Sequence, residues 1–194
     1  MSTQEIKVPP LSSDELDLAC QTLSEVGYVT FEQAIPLEIV EKIKDAFEAG
    51  HNTGQQDTDF LTHPFLDPRI INNSIAISII EKIMGTGFFS SLPYGFNSTQ
   101  RSSRYYKNSL KQWIHRDSGH LFPQMRAALP VTKIVVNVTL TDFTIENGCT
   151  EIWPGSHLII DPIKSPTTEE EKLFQNYHVC SEERGAELPS VRMV

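Results

Sequence analysis

The spacing of apolar residues changes at Gly87 from helical to strand-like, and this change constrains the fold more than any other feature. Before Gly87, three segments carry apolar residues three or four positions apart, next to helix start or stop signals. After Gly87, short alternating runs are separated by turn sequences. Helices followed by antiparallel strands predict an α+β fold, with the helices packed on one side of a sheet.

The first predicted helix begins at a capping box, with Ser12 at the cap and Glu15 three residues later. Gly27 ends it, and residues 28–31 form a short strand. Its apolar face consists of Leu16, Ala19, Leu23 and Val26.

Pro36 opens the second predicted helix, which stops at Gly50. Asp67 and Pro68 start a third, predicted to run without a break to Met84. The apolar face of the second helix consists of Leu37, Val40, Ile43 and Phe47.

Residues 132–143 form the clearest predicted strand, and Asn137 lies on the face opposite its main apolar row. Residues 146–148 read Glu-Asn-Gly, a hairpin-type turn, and residues 150–153 form the returning strand. The apolar row consists of Ile134, Val136, Val138 and Leu140.

Composition excludes several classes of protein. A chain of 194 residues is long enough for one domain, and its net charge of −9 argues against nucleic acid and anionic membrane surfaces as partners. No signal peptide or membrane-spanning run is apparent. Three widely spaced cysteines indicate free thiols in a reducing compartment, so we expect a cytoplasmic protein.

The central motif is His115-Arg116-Asp117, at the end of a predicted strand that also carries Trp113. One imidazole and one carboxylate fill two positions of a 2-His-1-carboxylate site and leave room for an α-keto acid and O₂. A motif this short also occurs by chance, with a surface histidine near a loop aspartate. The residues around the motif therefore decide how strongly it indicates a metal site.

Residues 140–157 provide that context. They contain an Asp-x-Thr-x-Glu-Asn-Gly turn at 142–148 and a Pro-Gly-Ser-His sequence at 154–157. With the Gly-Tyr-Val of residues 27–29 and the His-x-Asp motif, this pattern resembles the phytanoyl-CoA dioxygenase family. The resemblance runs from about residue 12 to residue 157.

The resemblance implies a double-stranded β-helix, or jelly roll, buttressed by N-terminal helices. On this basis we expect a single domain over residues 1–194. Its helical part would cover residues 12–87, its strands residues 88–160, and a loop excursion residues 161–190. The sheet would be incomplete, since the C-terminal strands of the family are absent from these residues.

The resemblance also implies Fe(II), 2-oxoglutarate and O₂, with His115 and Asp117 as the catalytic metal ligands. Asn137 and Trp113 would line the co-substrate pocket. A buried amide in an apolar strand needs partners, although Asn137 can equally be a structural amide and Trp113 a core residue. The 154–157 sequence is expected to shape the pocket rim, because the family motif does not use His157 as a ligand.

The sequence departs from the family pattern near its end. The distal histidine and the arginine that binds 2-oxoglutarate are not found, and His178 is the only late alternative ligand. We therefore expect that residues 1–194 alone do not couple 2-oxoglutarate decarboxylation to substrate oxidation.

Three functions remain open from the sequence. The first is an Fe(II)/2-oxoglutarate dioxygenase that oxidises a small organic metabolite, of the kind found in secondary metabolism, by hydroxylation, desaturation or ring chemistry. The carboxylate of Asp117 disfavours halogenation, which needs that coordination position. The second is a truncated, inactive family member acting as a binding or dimerising module, a possible homo-oligomer, because unpaired strand edges invite pairing. The third is a cupin-type jelly roll with another metal.

Overall fold

The computed structural model describes residues 8–52, 61–90, 127–142 and 150–159, together with short strands at 177–178 and 192–193. These residues contain the predicted helical layer, while most of the predicted jelly roll lies outside them and stays a prediction. The elements are α1 (Ser13–Val26), β1 (Phe31–Glu32), α2 (Leu37–Asn52), α3 (Pro68–Ile71), α4 (Ser74–Met84), β2 (Glu151–Ile152), β3 (Tyr177–His178) and β4 (Arg192–Met193).

Helix α1 begins and ends where the sequence predicts. The Ser12 N–H donates to the Glu15 carboxylate at 2.8 Å, and the Glu15 N–H donates back to Ser12 Oγ at 3.4 Å. Gly27 follows the last turn with a left-handed φ of 94°, and its N–H donates to the Leu23 carbonyl at 3.0 Å. The capping box and the C-terminal glycine are therefore both confirmed.

Two predicted boundaries were wrong by a few residues. Helix α2 continues to Asn52, two residues beyond the predicted stop at Gly50, so glycine is accommodated in its last turn. Strand β1 covers Phe31 and Glu32 instead of residues 28–31, because its partner β4 sets where the ladder forms. The pairing is antiparallel, with Phe31 opposite Met193 and Glu32 opposite Arg192.

The predicted third helix is divided in two by Asn73. The Asn73 Oδ1 accepts from the Ile75 and Ala76 N–H groups at 3.1 and 3.2 Å, which caps a new helix, α4. Its Nδ2 donates to the Ala34 carbonyl at 2.7 Å, and the residue is 4% exposed. The prediction of a single unbroken helix was therefore wrong. The Asn73 amide both caps the start of α4 and bonds to the distant Ala34 carbonyl.

Two apolar clusters form the core of the described residues. The first joins α1 to α4 through Ala19, Cys20 and Ile79, with Ala34 packed among them. The second is centred on α2, and its buried members are Ile35, Ile39, Val40, Ile43 and Phe65. Val138 and Leu140 pack against this second cluster. Val138 and Leu140 pack against the helical layer as predicted, but the strand predicted over residues 132–143 was wrong in its described part. Val138 forms only an isolated bridge there, Val136 of the same apolar row is 39% exposed, and Thr139 of the opposite row is 5% exposed.

The sheets are small in this part of the chain. Besides β1 and β4, strands β2 and β3 pair antiparallel, with Glu151 opposite His178 and Ile152 opposite Tyr177. The returning strand predicted at residues 150–153 is thus confirmed at its centre. Among the described helices, none is long and apolar enough to cross a membrane.

A charged cluster joins the starts of α2 and α3. The Arg69 guanidinium donates to both carboxylate oxygens of Asp67, at 2.8 and 2.7 Å, and lies 3.3 Å from a Glu38 oxygen. Asp67 also caps α3 by accepting from the Arg69 N–H at 2.9 Å. The hydrogen bonds from the Arg69 side chain hold the pKa of Asp67 below its usual value, against the opposing effect of burial.

Replacing Asp67 by Asn is expected to lower the free energy of unfolding by about 1–2 kcal/mol at neutral pH, since a charge-assisted pair is lost. Because the pKa of Asp67 is lower in the folded state, its ionised form stabilises the fold at pH values above the unfolded-state pKa, near 3.9. This contribution disappears as the pH falls through the folded-state pKa. The difference between wild type and D67N should therefore shrink below about pH 4. Urea denaturation at several pH values measures it. Asp45→Asn, an exposed carboxylate on α2, is the control, and an equal pH response in both variants would contradict the assignment.

Candidate functional site

The predicted metal ligands His115 and Asp117, and the neighbouring Trp113, lie outside the described residues. Their convergence on one metal ion therefore stays a prediction. Within the described part of the chain, no group of three or more His, Cys, Asp or Glu side chains could hold a metal ion.

Asn137 lies in the described segment 127–142, and its side chain is exposed to solvent. Thr139, two positions later on the same predicted face, is 5% exposed, so the buried polar residue of this face is Thr139. Because the residues predicted to surround Asn137 lie outside the described ones, its place in a co-substrate pocket also stays a prediction.

The best-defined polar contacts of the matched motifs are made by Pro154, Gly155, Ser156 and His157, called here the 154–157 turn. The Gly155 N–H donates to the Val26 carbonyl at 2.7 Å, and His157 Nε2 lies 3.0 Å from the Ser24 carbonyl oxygen. The last four carbonyls of a helix have no partner within the helix. The 154–157 turn therefore caps the C-terminus of α1 from a distant part of the sequence.

The His157 ring lies directly on the backbone of Gly27. A Cβ atom built at Gly27 would be 2.5 Å from His157 Nδ1, so only glycine fits against the ring without a shift. Since a carbonyl only accepts, Nε2 carries the hydrogen that bonds to Ser24. Nδ1 is buried, with no hydrogen-bond partner among the residues that the structure describes.

Sequence reasoning missed this contact. It assigned Gly27 only as a helix stop. In the structure, the His157 ring also packs against the Gly27 backbone. One signal was available: Gly27 and the 154–157 turn belong to the same set of family-like motifs. Motif membership gives no distance, however, so nothing in the sequence joined the two.

The late alternative ligand, His178, is part of a strand. It lies in β3, directly opposite Glu151 of β2. The Glu151 carboxylate accepts from Trp153 Nε1 at 3.2 Å, which ties the end of β2 to the start of the 154–157 turn. Whether His178 supplies a metal ligand remains a prediction.

Cys20 is a buried free thiol between α1 and α4. Burial raises its pKa, with a smaller opposing effect from Lys82, which pairs with Asp17 on the same side of α1. A thiol that stays protonated is a poor nucleophile, so Cys20 is a core residue. Its predicted free state is confirmed, while Cys149 and Cys180 lie outside the described residues.

Residues 98–188 match the family model described as phytanoyl-CoA dioxygenase (PhyH). The matched stretch contains the His115 and Asp117 motif, Asn137, the 154–157 turn and strands β2 and β3. Helices α1 to α4 precede it. The contacts of the turn with α1 therefore join the matched stretch to the helical layer.

Proposed function

Since residues 98–188 belong to the phytanoyl-CoA dioxygenase family, we propose that this chain is a non-haem Fe(II)/2-oxoglutarate-dependent dioxygenase acting on a small organic metabolite. The family is one of Fe(II)/2-oxoglutarate dioxygenases. The observation that carries the proposal is that the matched stretch includes both residues of the His-x-Asp motif. The proposed reaction is a hydroxylation, a desaturation or a ring-forming oxidation.

The chemistry of the donor set fits iron. Neutral imidazole and carboxylate are the ligand types of non-haem Fe(II) sites, and His115 with Asp117 supplies one of each. When bound, the metal together with 2-oxoglutarate activates O₂ for oxidation of the substrate. Such a site needs a third protein ligand besides His115 and Asp117, and His178 is a candidate for it. His157 is a poor one, because its Nε2 is bonded to the Ser24 carbonyl and its Nδ1 is buried against the Gly27 backbone.

Two further residues have proposed roles in this pocket. The Asn137 amide would donate a hydrogen bond to a carboxylate oxygen of 2-oxoglutarate, which orients the co-substrate. The Trp113 indole would form an apolar wall that keeps water from the reacting atoms.

Loss of either metal ligand is expected to weaken Fe(II) binding by well over tenfold, since even residues that only support metal ligands cost about 10–100-fold. The measurement is an anaerobic Fe(II) titration of the wild-type chain, His115→Ala and Asp117→Ala. His63→Ala, which removes an exposed histidine, is the matched control. Equal Fe(II) affinity in all four proteins would rule out this site.

A second candidate function, a non-catalytic binding or dimerising module, is favoured by one observation. Apolar side chains of residues 129–136 are more than a third exposed: Leu129, Val131, Val135 and Val136. Such a surface is suited to pairing with a second chain. No saturable Fe(II) binding, together with concentration-dependent self-association in sedimentation experiments, would select this function over the dioxygenase.

A further inference from the structure

We propose that His157 is a positioning residue, which holds the β2–β3 strand pair in place by capping helix α1. The family match begins at residue 98, so it does not include α1. The capping contact crosses that boundary. It makes the helical layer part of the structure that places the matched strands.

The first step of the argument is the pair of hydrogen bonds at the end of α1. Gly155 N–H bonds to the Val26 carbonyl at 2.7 Å, and His157 Nε2 bonds to the Ser24 carbonyl at 3.0 Å. Gly27 N–H already bonds to the Leu23 carbonyl. Three carbonyls of the last helical turn are therefore satisfied, and two of them by the 154–157 turn. Removing these donors would leave carbonyls without their protein partners.

The second step is the fit of the ring on Gly27. The left-handed φ of 94° turns the chain away from α1, and the absence of a Cβ atom lets the imidazole lie on the backbone. Nδ1 makes no hydrogen bond with any described residue, so the Nε2 bond and this packing hold the ring. The contact therefore depends on one donor atom at one position, which a substitution can test.

The third step connects the cap to the strands. Strand β2 ends at Ile152, and only Trp153 separates it from the 154–157 turn. Trp153 donates back to Glu151 of β2, which stands opposite His178 of β3. Each strand is two residues long, so the pair has few hydrogen bonds of its own. A fixed point immediately after β2 limits how far this short pair can move.

Two substitutions of His157 separate the donor from the ring. A glutamine amide nitrogen reaches about as far as Nε2, so His157→Gln keeps the bond to the Ser24 carbonyl. An asparagine amide reaches only the position of Nδ1, where the described residues offer no partner. We therefore expect His157→Gln to preserve the cap and His157→Asn to lose it.

Hydrogen exchange of the full chain tests the proposal. In His157→Asn, amides of β2, β3 and the last turn of α1 should exchange about tenfold faster, as expected for the loss of one net hydrogen bond. Amides of α4 should keep their wild-type rates, and His157→Gln should match wild type throughout. Unchanged exchange at β2 and β3 in His157→Asn, or equal acceleration everywhere, would overturn the positioning role. If His157→Asn does not fold, faster exchange at β2 and β3 in His157→Gln would overturn it, and wild-type rates would support it.

A second readout rests on the proposed function. If the strand pair helps to place the metal site, His157→Asn should weaken Fe(II) binding several-fold at a temperature where it is fully folded, and His157→Gln should restore it. Absence of Fe(II) binding by the wild-type chain would count against the dioxygenase and leave the exchange result as the test of the cap. Fe(II) binding that is equal in all three proteins would show that the cap does not reach the metal site.

Discussion

Gly27→Ala is expected to lower the free energy of unfolding by about 3 kcal/mol, the larger of the two glycine effects predicted here. An L-residue in a left-handed conformation costs about 1–2 kcal/mol. The remainder comes from the new Cβ atom, which would lie 2.5 Å from His157 Nδ1 and force the ring or the helix end to move. Urea denaturation followed by circular dichroism measures the change.

Gly87 provides a matched control for this substitution. Its φ of 93° is nearly that of Gly27, but among the described residues no atom outside its two chain neighbours lies within 4 Å of a Cβ built there. Gly87→Ala should therefore cost only the backbone term, about 1–2 kcal/mol. Equal losses for the two alanine variants would show that the His157 ring does not press on Gly27.

A double-mutant cycle isolates the contact further. In a His157→Ala background the obstructing ring is gone, so Gly27→Ala should then cost about as much as Gly87→Ala. The expected coupling between positions 27 and 157 is about 1–2 kcal/mol. Strict additivity of the two substitutions would place the strain elsewhere in the helix end.

Asn73→Leu is expected to lower the free energy of unfolding by about 3 kcal/mol. Leucine has a similar volume but neither the acceptor for the Ile75 and Ala76 N–H groups nor the donor for the Ala34 carbonyl. Loss of a cap costs about 1 kcal/mol, and a buried carbonyl left without its partner costs about 1–3 kcal/mol. Thermal and urea denaturation of the purified variant provide the measurement.

Two variants define what Asn73 contributes. Asn73→Asp keeps the capping oxygen but places a second carboxylate oxygen, instead of the amide donor, against the Ala34 carbonyl, so it should lose at least about 2 kcal/mol. Asn72→Leu changes the exposed neighbour and should stay within about 0.5 kcal/mol of wild type. A wild-type-like Asn73→Asp would mean that the bond to Ala34 contributes little.

Local signals were enough to predict α1 and α2 to within a few residues. The capping box at Ser12 and Glu15, and the glycine that ends α1, act within one helical turn, so sequence spacing identifies them. Strand alternation predicted the packing of Val138 and Leu140, but it failed at Val136 and Thr139, because the described part of residues 132–143 forms no regular strand. The family resemblance was likewise carried by short motifs, and the match over residues 98–188 confirms it.

The errors occurred where a partner far along the chain decides the structure. Strand β1 is placed by β4, and Asn73 divides a helix because it also bonds to Ala34. Neither partner is detectable from residues close in sequence. The predicted ligands His115 and Asp117, with Trp113, lie outside the described residues, so their convergence stays a prediction from sequence context.

The sequence by itself determined where α1 and α2 begin and end to within a few residues, which family residues 98–188 resemble, and which residue types are available for a metal site. Only the tertiary structure decided that the 154–157 turn caps α1 and that Gly27 must lack a side chain beneath His157. The physical reason is the distance along the chain over which each interaction acts. Caps and apolar periodicity act over three or four residues, whereas a buried carbonyl accepts from whichever donor the folded chain brings near it.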